Sequence, residues 1–379
     1  MPKSHMSKKL FAIILALALI FPSLTYGIGI DKLQSYENEP DLYFLLDVFQ
    51  YIKESYPNDT QNKKLVEGAL KGMLQSLDPY SDYYTEEEAV EIYRNLFNIY
   101  GGIGVYIEKK DDYINIIDTI ENSPAHNEGL KKGDAIITID GMDIRELPIE
   151  EVSKLIRGIK GTSVKLEVKR EGKKSLLQFE LIRDNITIKT VKYEILEGNI
   201  GYIHISEFDE STTSELIEVL AQMDKKNIKK LILDLRNNPG GLLNQALGVA
   251  RMFVPKGPLV HIKEKKGPIQ TYQSYLPGKK YELALLVNED SASASEIVAG
   301  AIKDTKSGVI IGKKTFGKGI VQSMIPLGNG GILKMTTAEY LTPNKLSIHG
   351  IGVMPDIEVE NRAEADEQLN RAIVELKKH

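Results

Sequence analysis

The sequence predicts a multidomain α+β protein, because three successive stretches differ in the spacing of their apolar residues. Residues 28–98 carry apolar side chains at helical intervals. Residues 99–184 alternate short strand-like runs with glycine turns, which is typical of a compact β-rich module. Residues 185–360 alternate strands with helices, as an α/β core does, and residues 361–379 end the chain in one further helix pattern.

The N-terminus has the layout of a secretory signal peptide. Basic residues precede the apolar run 10–21, and small residues that suit cleavage follow at Thr25-Tyr26-Gly27. The alternative is that residues 1–27 are an uncleaved membrane anchor, although the run is shorter than the roughly 20 residues that span a bilayer. Both interpretations predict an exported protein of the cell envelope, the periplasm or the medium, with any membrane contact at this end.

Composition excludes several classes of function. The 379 residues carry a net charge of −5, so the chain as a whole has no signature of nucleic-acid binding. The chain has no cysteine, which excludes a cysteine nucleophile, a disulfide framework and any thiolate metal site. No other metal-ligand pattern is evident, so we expect neither a metal nor a cofactor.

The β-rich module at residues 99–184 opens with the glycine loop Gly101, Gly102, Ile103 and Gly104. This loop and the later stretch Leu130–Asp140 resemble a PDZ domain, in which a glycine loop is followed by a peptide-binding strand. Successive amides in such a loop can bind the carboxylate that ends a peptide, and the next strand can pair with the peptide backbone. The alternative is that the glycines only turn a hairpin.

The most informative run is Ser291-Ala292-Ser293-Ala294-Ser295-Glu296, which lies between a buried-strand pattern and an apolar helix pattern. A serine on a tight strand-to-helix turn is exposed, and the amides at the helix start can stabilise an oxyanion. Downstream, Lys318 between two glycines could approach such a serine and act as its base. The periodicity favours Ser293, the central serine, without excluding the other two.

Three alternatives compete with a serine–lysine hydrolase. The run 312–319 fits a nucleotide-binding loop except that Gly319 replaces the hydroxyl residue that would bind magnesium. The core histidines His204, His261 and His349 could form a triad, although none lies in a distinctive motif. The chain could also be a PDZ peptide-binding scaffold on an inactive α/β body.

Four motifs together resemble the carboxyl-terminal processing peptidases, also called tail-specific proteases. The resemblance covers nearly all of the chain after the leader. The motifs are Leu77-Asp78-Pro79, the run 234–241 (Asp-Leu-Arg-Asn-Asn-Pro-Gly-Gly), the run 291–296, and the run 315–319 with Gln322. The resemblance implies a crotonase-like α/β protease core at residues 185–360, a PDZ domain at 99–184 and a serine-type endopeptidase activity.

The family's site residues fall on matching positions of this sequence. Ser293 is then the nucleophile, Lys318 its base and Gln322 the residue that supports the lysine. A further polar residue of the family's site region, with a supporting role, falls on Asp304. Burial between glycines would keep Lys318 neutral by lowering its pKa. The remaining implied groups are the oxyanion amides, which are those of Ala294 and of Gly241 or Gly240.

The resemblance also implies how substrates are chosen. Protein or peptide substrates with free C-termini would be captured by the PDZ domain and cleaved near their ends, with loose sequence preference. Arg157, on a predicted helix of that domain, is a candidate regulatory residue, and its alternative is a solvated surface charge. The helical segments at both ends of the chain suit self-association into a homo-oligomer.

Overall fold

A computed structural model describes residues 40–96, 100–110, 113–186, 189–361 and 365–378. The predicted leader at 1–27 lies outside the described residues. The chain divides into two compact units. The first unit contains residues up to Ile92 together with Gln322–Thr337, and the second contains Tyr93–Val321 together with Ala338–His379.

The first unit is built from helices and one short strand that pairs with a distant part of the chain. Its elements are helix α1 (Pro40–Ser55), helix α2 (Asn62–Gln75), strand β1 (Asp82–Tyr84) and the start of helix α3 (Glu86–Leu96). Strand β1 pairs antiparallel with a strand of residues 332–341, with Asp82 opposite Lys334. Helical periodicity did not reveal β1, because three residues are too few to show a period. Tyr83 of β1 is buried in this unit, and its hydroxyl accepts a hydrogen bond from the side chain of Asn329.

Within the described residues, the β-rich module in the second unit contains ten elements. They are β2 (Tyr100–Gly101), β3 (Val105–Lys110), β4 (Tyr113–Thr119), α4 (Pro124–Asn127), β5 (Ala135–Ile139), β6 (Met142–Asp143), α5 (Ile149–Ile156), β7 (Gly158–Ile159) and β8 (Ser163–Lys169), followed by β9 (Leu177–Ile182). The main sheet has the order β3-β4-β5-β8-β9, so β3 is an edge strand that directly follows the glycine loop. The sequence-based strands over 113–120, 135–139 and 164–170 are confirmed to within one residue.

A buried arginine closes the end of helix α5 in this module. Arg183 donates hydrogen bonds from Nε to the carbonyl of Ile156 and from Nη2 to the carbonyl of Leu155, both at 2.9 Å. These are carbonyls at the end of the helix, which have no partner within it. The next residue, Asp184, pairs through its backbone with Gly102 of the glycine loop. Residues 183–184 therefore connect the helix end with the loop.

The α/β core of the second unit is a six-stranded sheet in the order β10-β11-β12-β15-β16-β19. Its strands are β10 (Val191–Leu196), β11 (Ile200–Ile205), β12 (Lys230–Asp234), β15 (Glu282–Val287), β16 (Val309–Gly312) and β19 (Ile357–Glu358). All neighbours in this sheet are parallel except β10 and β11. Buried runs such as 231–235 and 283–287 are typical of parallel strands that are covered on both faces.

Helices cover both faces of this sheet. Helices α6 (Thr212–Lys225), α7 (Leu243–Phe253) and α8 (Ala294–Asp304) share one hydrophobic cluster with it. Helix α9 (Glu367–Lys377) shares the cluster on the other face through Ala372 and Leu376. The predicted tail helix is confirmed, and its apolar side packs on the sheet of its own chain.

The remaining strands form smaller pairings. Strand β13 (Gly257–Glu264) pairs with β14 (Gln270–Ser274) and with the last residues of β18 (Ile332–Leu341). Strand β17 (Ile320–Pro326) precedes β18 and pairs with it. The division between the two units falls within β17 and β18, so the chain passes from one unit to the other along these two strands.

Parallel packing determines where a site can form. Strands β12, β15 and β16 are neighbours, so the segments that follow them leave the same edge of the sheet. Those segments are 235–241, 288–293 and 313–319, and they contain the motifs singled out in the sequence.

Candidate active site

The serine run forms a sharp turn from β15 into α8, as its pattern predicts. Ser293 precedes the first residue of the helix and has φ 53° and ψ −110°, a conformation that non-glycine residues rarely adopt. Ser291 and Ser295 are fully buried, and their hydroxyls donate to the carbonyls of Leu235 at 2.7 Å and Asn238 at 3.0 Å. Ser293 is the one serine of the run that is partly exposed, so the geometry favours it as a nucleophile.

A buried carboxylate holds the serine turn against the lysine loop. Glu296 lies in the first turn of α8, and its Oε2 accepts the backbone N–H groups of Ser293 at 2.9 Å and Lys318 at 2.8 Å. Its Oε1 accepts the hydroxyl of Thr315 at 2.6 Å and the N–H of Gly317 at 2.7 Å. Four donors offset the cost of burying this charge. One side chain therefore determines where both loops lie.

A tyrosine hydroxyl holds the carbonyl groups of the same two residues. The buried Tyr340 of β18 donates to the carbonyl of Ser293 at 2.9 Å and also contacts the carbonyl of Lys318. Burial, together with the nearby Glu296 carboxylate, raises the pKa of Tyr340 well above its usual value. The hydroxyl therefore keeps its proton and remains a donor throughout the physiological pH range.

The glycines on each side of Lys318 allow another loop to pack closely. A Cβ at Gly319 would lie 2.6 Å from the backbone nitrogen of His349, and a Cβ at Gly317 would lie 3.1 Å from that of Gly352. Gly317 also has a positive φ of 94° and accepts a hydrogen bond from the N–H of Gly350. The lysine loop therefore lies directly against residues 349–352.

The glycine loop after β12 lies beside Ser293. A Cβ at Gly240 would lie 2.8 Å from Ser293 Cβ, so only glycine fits there. The buried Asn238 accepts the N–H of Gly240 at 2.9 Å and donates to the carbonyl of Ile205 at 2.8 Å. Because the Gly240 amide is used within the loop, the geometry favours Gly241 over Gly240 as the loop's oxyanion amide.

Comparison with known proteins agrees with this arrangement. Family models match at residues 199–359 (peptidase family S41), 101–181 (PDZ domain) and 30–88 (activating protease CtpB N-terminal domain). The carboxy-terminal-processing protease of Bartonella bacilliformis is 39% identical over 334 residues, which are 85% of this chain and 77% of that protein. The chain belongs to peptidase family S41.

Further relatives support the same assignment. The carboxy-terminal processing protease CtpA of Bacillus subtilis is 38% identical over 360 residues, which are 93% of this chain and 77% of that protein. The solved structure of a photosystem II D1 C-terminal processing protease is 26% identical and covers 97% of both chains with a TM-score of 0.53. The chain is a serine-type peptidase with a PDZ domain, so the predicted family and enzyme class are confirmed.

The other site residues predicted for this S41 peptidase lie on different elements of the fold. Asp304 is the last residue of α8, about 16 Å along the helix from Ser293. Its carboxylate accepts the N–H of Asn344 at 2.8 Å, so it holds a neighbouring loop. Gln322 lies on β17, and its Nε2 donates to the carbonyl of Tyr80 at 2.6 Å. Arg157 follows α5 and is exposed.

The histidine alternative finds no support at His261. This side chain is buried, and its two ring nitrogens contact the hydroxyl of Thr271 at 2.8 Å and the carbonyl of Pro343 at 3.1 Å. Its hydrogen-bonding capacity is therefore used within the fold.

A charged network lies beneath the glycine loop of the S41 core. Arg236 donates hydrogen bonds to the buried carboxylate of Asp234. Both of its Nη atoms also donate to the carboxylate of Asp366 at the start of α9. Burial opposes the charge of Arg236, but hydrogen bonds to the two carboxylates raise its pKa. The network lines a cleft of about 930 Å³ with residues such as Tyr202 and His204. It attaches helix α9 to the residues that begin the glycine loop.

Sequence reasoning missed Glu296, Tyr340 and Asn238 as parts of the site. Glu296 could have been found, because a serine followed three residues later by glutamate before an apolar run is a helix-start pattern. Tyr340 and Asn238 act through contacts to distant backbone groups, and no local pattern shows such contacts.

We expect Glu296→Gln to lower kcat by about 100-fold or more, because losing charge-assisted hydrogen bonds of about 1.5–3 kcal/mol each would release the two loops. All four partners of Glu296 are donors, two on each oxygen, so the amide nitrogen of glutamine would face two of them. The free energy of unfolding should fall by about 2–3 kcal/mol. Peptidase assays and thermal unfolding measure both effects.

The exposed Glu289→Gln variant is the matched control and should behave as wild type in both assays. Wild-type kcat in Glu296→Gln would show that the carboxylate does not hold the loops in the active enzyme.

Proposed function

We propose that this chain is an exported serine endopeptidase in which Ser293 is the nucleophile and Lys318 its general base, acting near the C-termini of protein substrates. The observation that carries the proposal is that one carboxylate, that of Glu296, binds the backbone N–H groups of both residues. The attachment uses backbone N–H groups, so it fixes the positions of both residues without using their side chains.

The proposed reaction is acyl transfer in two steps. Ser293 Oγ attacks the scissile carbonyl while the neutral amine of Lys318 accepts the hydroxyl proton. The amides of Ala294 and Gly241 would stabilise the oxyanion of the tetrahedral intermediate. The lysine then returns the proton to the leaving amine. A water molecule, deprotonated by the same lysine, then attacks the acyl carbonyl, and the lysine returns that proton to Ser293 Oγ as the ester bond breaks and the new carboxylic acid leaves. In this proposal, the oxygen of Gln322 stabilises the ammonium that forms in each step.

We expect Ser293→Ala and Lys318→Ala each to lower kcat by about 10⁴-fold or more on an unstructured protein with an apolar C-terminus. Wild-type kcat should rise with pH, because only the deprotonated lysine accepts the serine proton. Lys314→Ala is the matched control, since Lys314 is an exposed lysine of the same loop, and it should leave kcat unchanged. Cleavage by both alanine variants would contradict the dyad. A chain that binds tails but never cleaves them would be a PDZ scaffold.

We propose that the PDZ domain captures the substrate's C-terminus. The glycine loop precedes the edge strand β3, as binding of a tail by strand addition requires. The N–H of Gly102 donates to the backbone carbonyl of Asp184 and is therefore occupied. The C-terminal carboxylate of the substrate would instead bind the next two amides, those of Ile103 and Gly104. A Cβ at Gly104 would lie 2.2 Å from Ser123 Cβ, which explains the glycine there.

A substrate that ends in an amide should be cleaved with kcat/KM lower by about 10- to 100-fold, because hydrogen bonds to a charged carboxylate are worth about 1.5–3 kcal/mol. If Arg157 links tail binding to catalysis, Arg157→Ala should bind tail peptides normally but lose its response to them. Equal cleavage of both substrates would contradict tail capture. An unchanged response in Arg157→Ala would leave that residue as a solvated charge.

Export and self-association are also proposals. The leader supports export and is consistent with membrane anchoring, and none of the helices within the described ranges is long and apolar enough to span a membrane. Helix α1 has no buried residue, and Phe44 and Tyr51 are both 69% exposed. Such an apolar surface suits contact with a second copy of the chain.

Determining the N-terminal residue of protein recovered from the cell envelope or the medium tests export and leader cleavage together. Protein found in the cytoplasm with an intact leader would contradict both. Sedimentation tests assembly. Phe44→Glu should shift a dimer to monomer, whereas Lys53→Glu on the same helix should not. A monomeric wild-type chain would contradict self-association.

A further inference from the structure

The buried Arg183 of the PDZ domain carries a positive charge that no carboxylate neutralises within the described part of the chain. Its guanidinium donates to the carbonyls of Leu155, Ile156 and Ser163 and to the hydroxyl of Thr162. All of these acceptors are neutral. Arginine is seldom buried in proteins without an acidic partner, because a charge that has lost its water is costly.

The nearby acidic residues are paired with other cations. Arg170, which is largely buried in the same domain, pairs with the buried carboxylate of Asp134 at 2.6 Å. Asp184, which follows Arg183, is exposed and pairs with Lys160 at 2.5 Å. The carbonyls that end α5 offset roughly half of one positive charge, as helix C-termini do. A net positive charge therefore remains at Arg183.

The guanidinium lies close to the glycine loop of the PDZ domain. A Cβ at Gly158 would lie 2.8 Å from Arg183 Nε, so the guanidinium packs against strand β7. Strand β7 pairs with β2, and this pairing places Gly158 opposite Gly101. Neighbouring strands lie about 4.8 Å apart. The backbone of Asp184 also pairs with Gly102 in both directions, at 2.9 and 3.0 Å. The charge is therefore about one or two strand spacings from the loop.

We propose that Arg183 is a specificity residue for substrate tails: its positive charge attracts the terminal carboxylate that the amides of Ile103 and Gly104 would bind. This inference rests on the proposed capture of tails by the PDZ domain. Arg183 acts through its electric field and makes no contact with the tail, and water screens such a field little when the charge is buried. The charge favours a peptide that ends in a carboxylate over one that ends in an amide.

The exposed Thr162 allows a test that leaves Arg183 in place, because its hydroxyl accepts from Arg183 Nη1 at 3.0 Å. Thr162→Asp gives the guanidinium an anionic partner, whereas Thr162→Asn has the same shape without the charge. The measurement is the Kd of the full chain carrying Ser293→Ala for a fluorescent peptide that ends in a leucine carboxylate and for the same peptide ending in an amide. We expect Thr162→Asp to lower the preference for the carboxylate by about 5- to 10-fold. Thr162→Asn should stay within about twofold of wild type.

Two variants of Arg183 separate its charge from its hydrogen bonds. Neither lysine nor glutamine reproduces the fork that holds the end of α5, so both should lower the free energy of unfolding. Arg183→Lys keeps the charge, and its carboxylate preference should stay within about threefold of wild type. Arg183→Gln should lose about 10-fold of that preference. A purely structural arginine would instead weaken the binding of both peptides equally in both variants.

The outcomes distinguish this inference from the proposed tail capture. Equal binding of the two peptides by the chain with only Ser293→Ala would contradict tail capture itself. With tail capture intact, an unchanged carboxylate preference in Thr162→Asp would overturn the role of Arg183. An equal fall in Thr162→Asn would also overturn it, as would a folded Arg183→Lys protein without the preference. The Thr162 variants change an exposed turn, so they decide the matter even if the Arg183 variants fail to fold.

Discussion

The buried carboxylate of Glu296 is the interaction on which the rest of the site depends. A charge without water would cost several kcal/mol, and here four short hydrogen bonds replace the water. The donors come from two separate segments, the serine turn and the loop 315–318. Because the attachment uses backbone groups and one threonine hydroxyl, it sets the distance between the two segments and leaves the serine and lysine side chains uninvolved.

Tyr340 completes this attachment from a different element. The carboxylate holds the N–H groups of Ser293 and Lys318, and the tyrosine hydroxyl holds their carbonyls. In each residue, the two peptide groups that flank the Cα atom are therefore both held by a hydrogen bond. The same strand, β18, carries Thr336 four residues earlier, and the N–H of Thr336 donates to the hydroxyl of Ser81. Strand β18 thus contributes both to the backbone contacts of Ser293 and Lys318 and to a contact of the turn at residues 78–81.

The sequence predicts the elements well and the contacts poorly. Strand β11 and helix α6 follow their apolar periods, and Ser293 is favoured by its place between strand and helix. Strand β1 was missed, because it is short and stabilised by pairing with residues 332–334. The motif match groups Asp304 with the site, but Asp304 is the last residue of α8, and Ser293 lies at the other end of that helix. Periodicity reports which face is buried, but hydrogen-bond partners far apart in the chain appear only in three dimensions.

The conformation of Ser293 connects these observations. A non-glycine residue at φ 53° and ψ −110° carries strain of about 1–3 kcal/mol, and such strain persists only where the surroundings hold it. Here Glu296 binds its N–H, Tyr340 binds its carbonyl, and Gly240 approaches its Cβ so closely that no side chain would fit. Ser291 and Ser295 fix the turn on each side through their hydroxyls. The three serines therefore have different roles: the outer two hold the turn, which allows the central one to be strained and exposed.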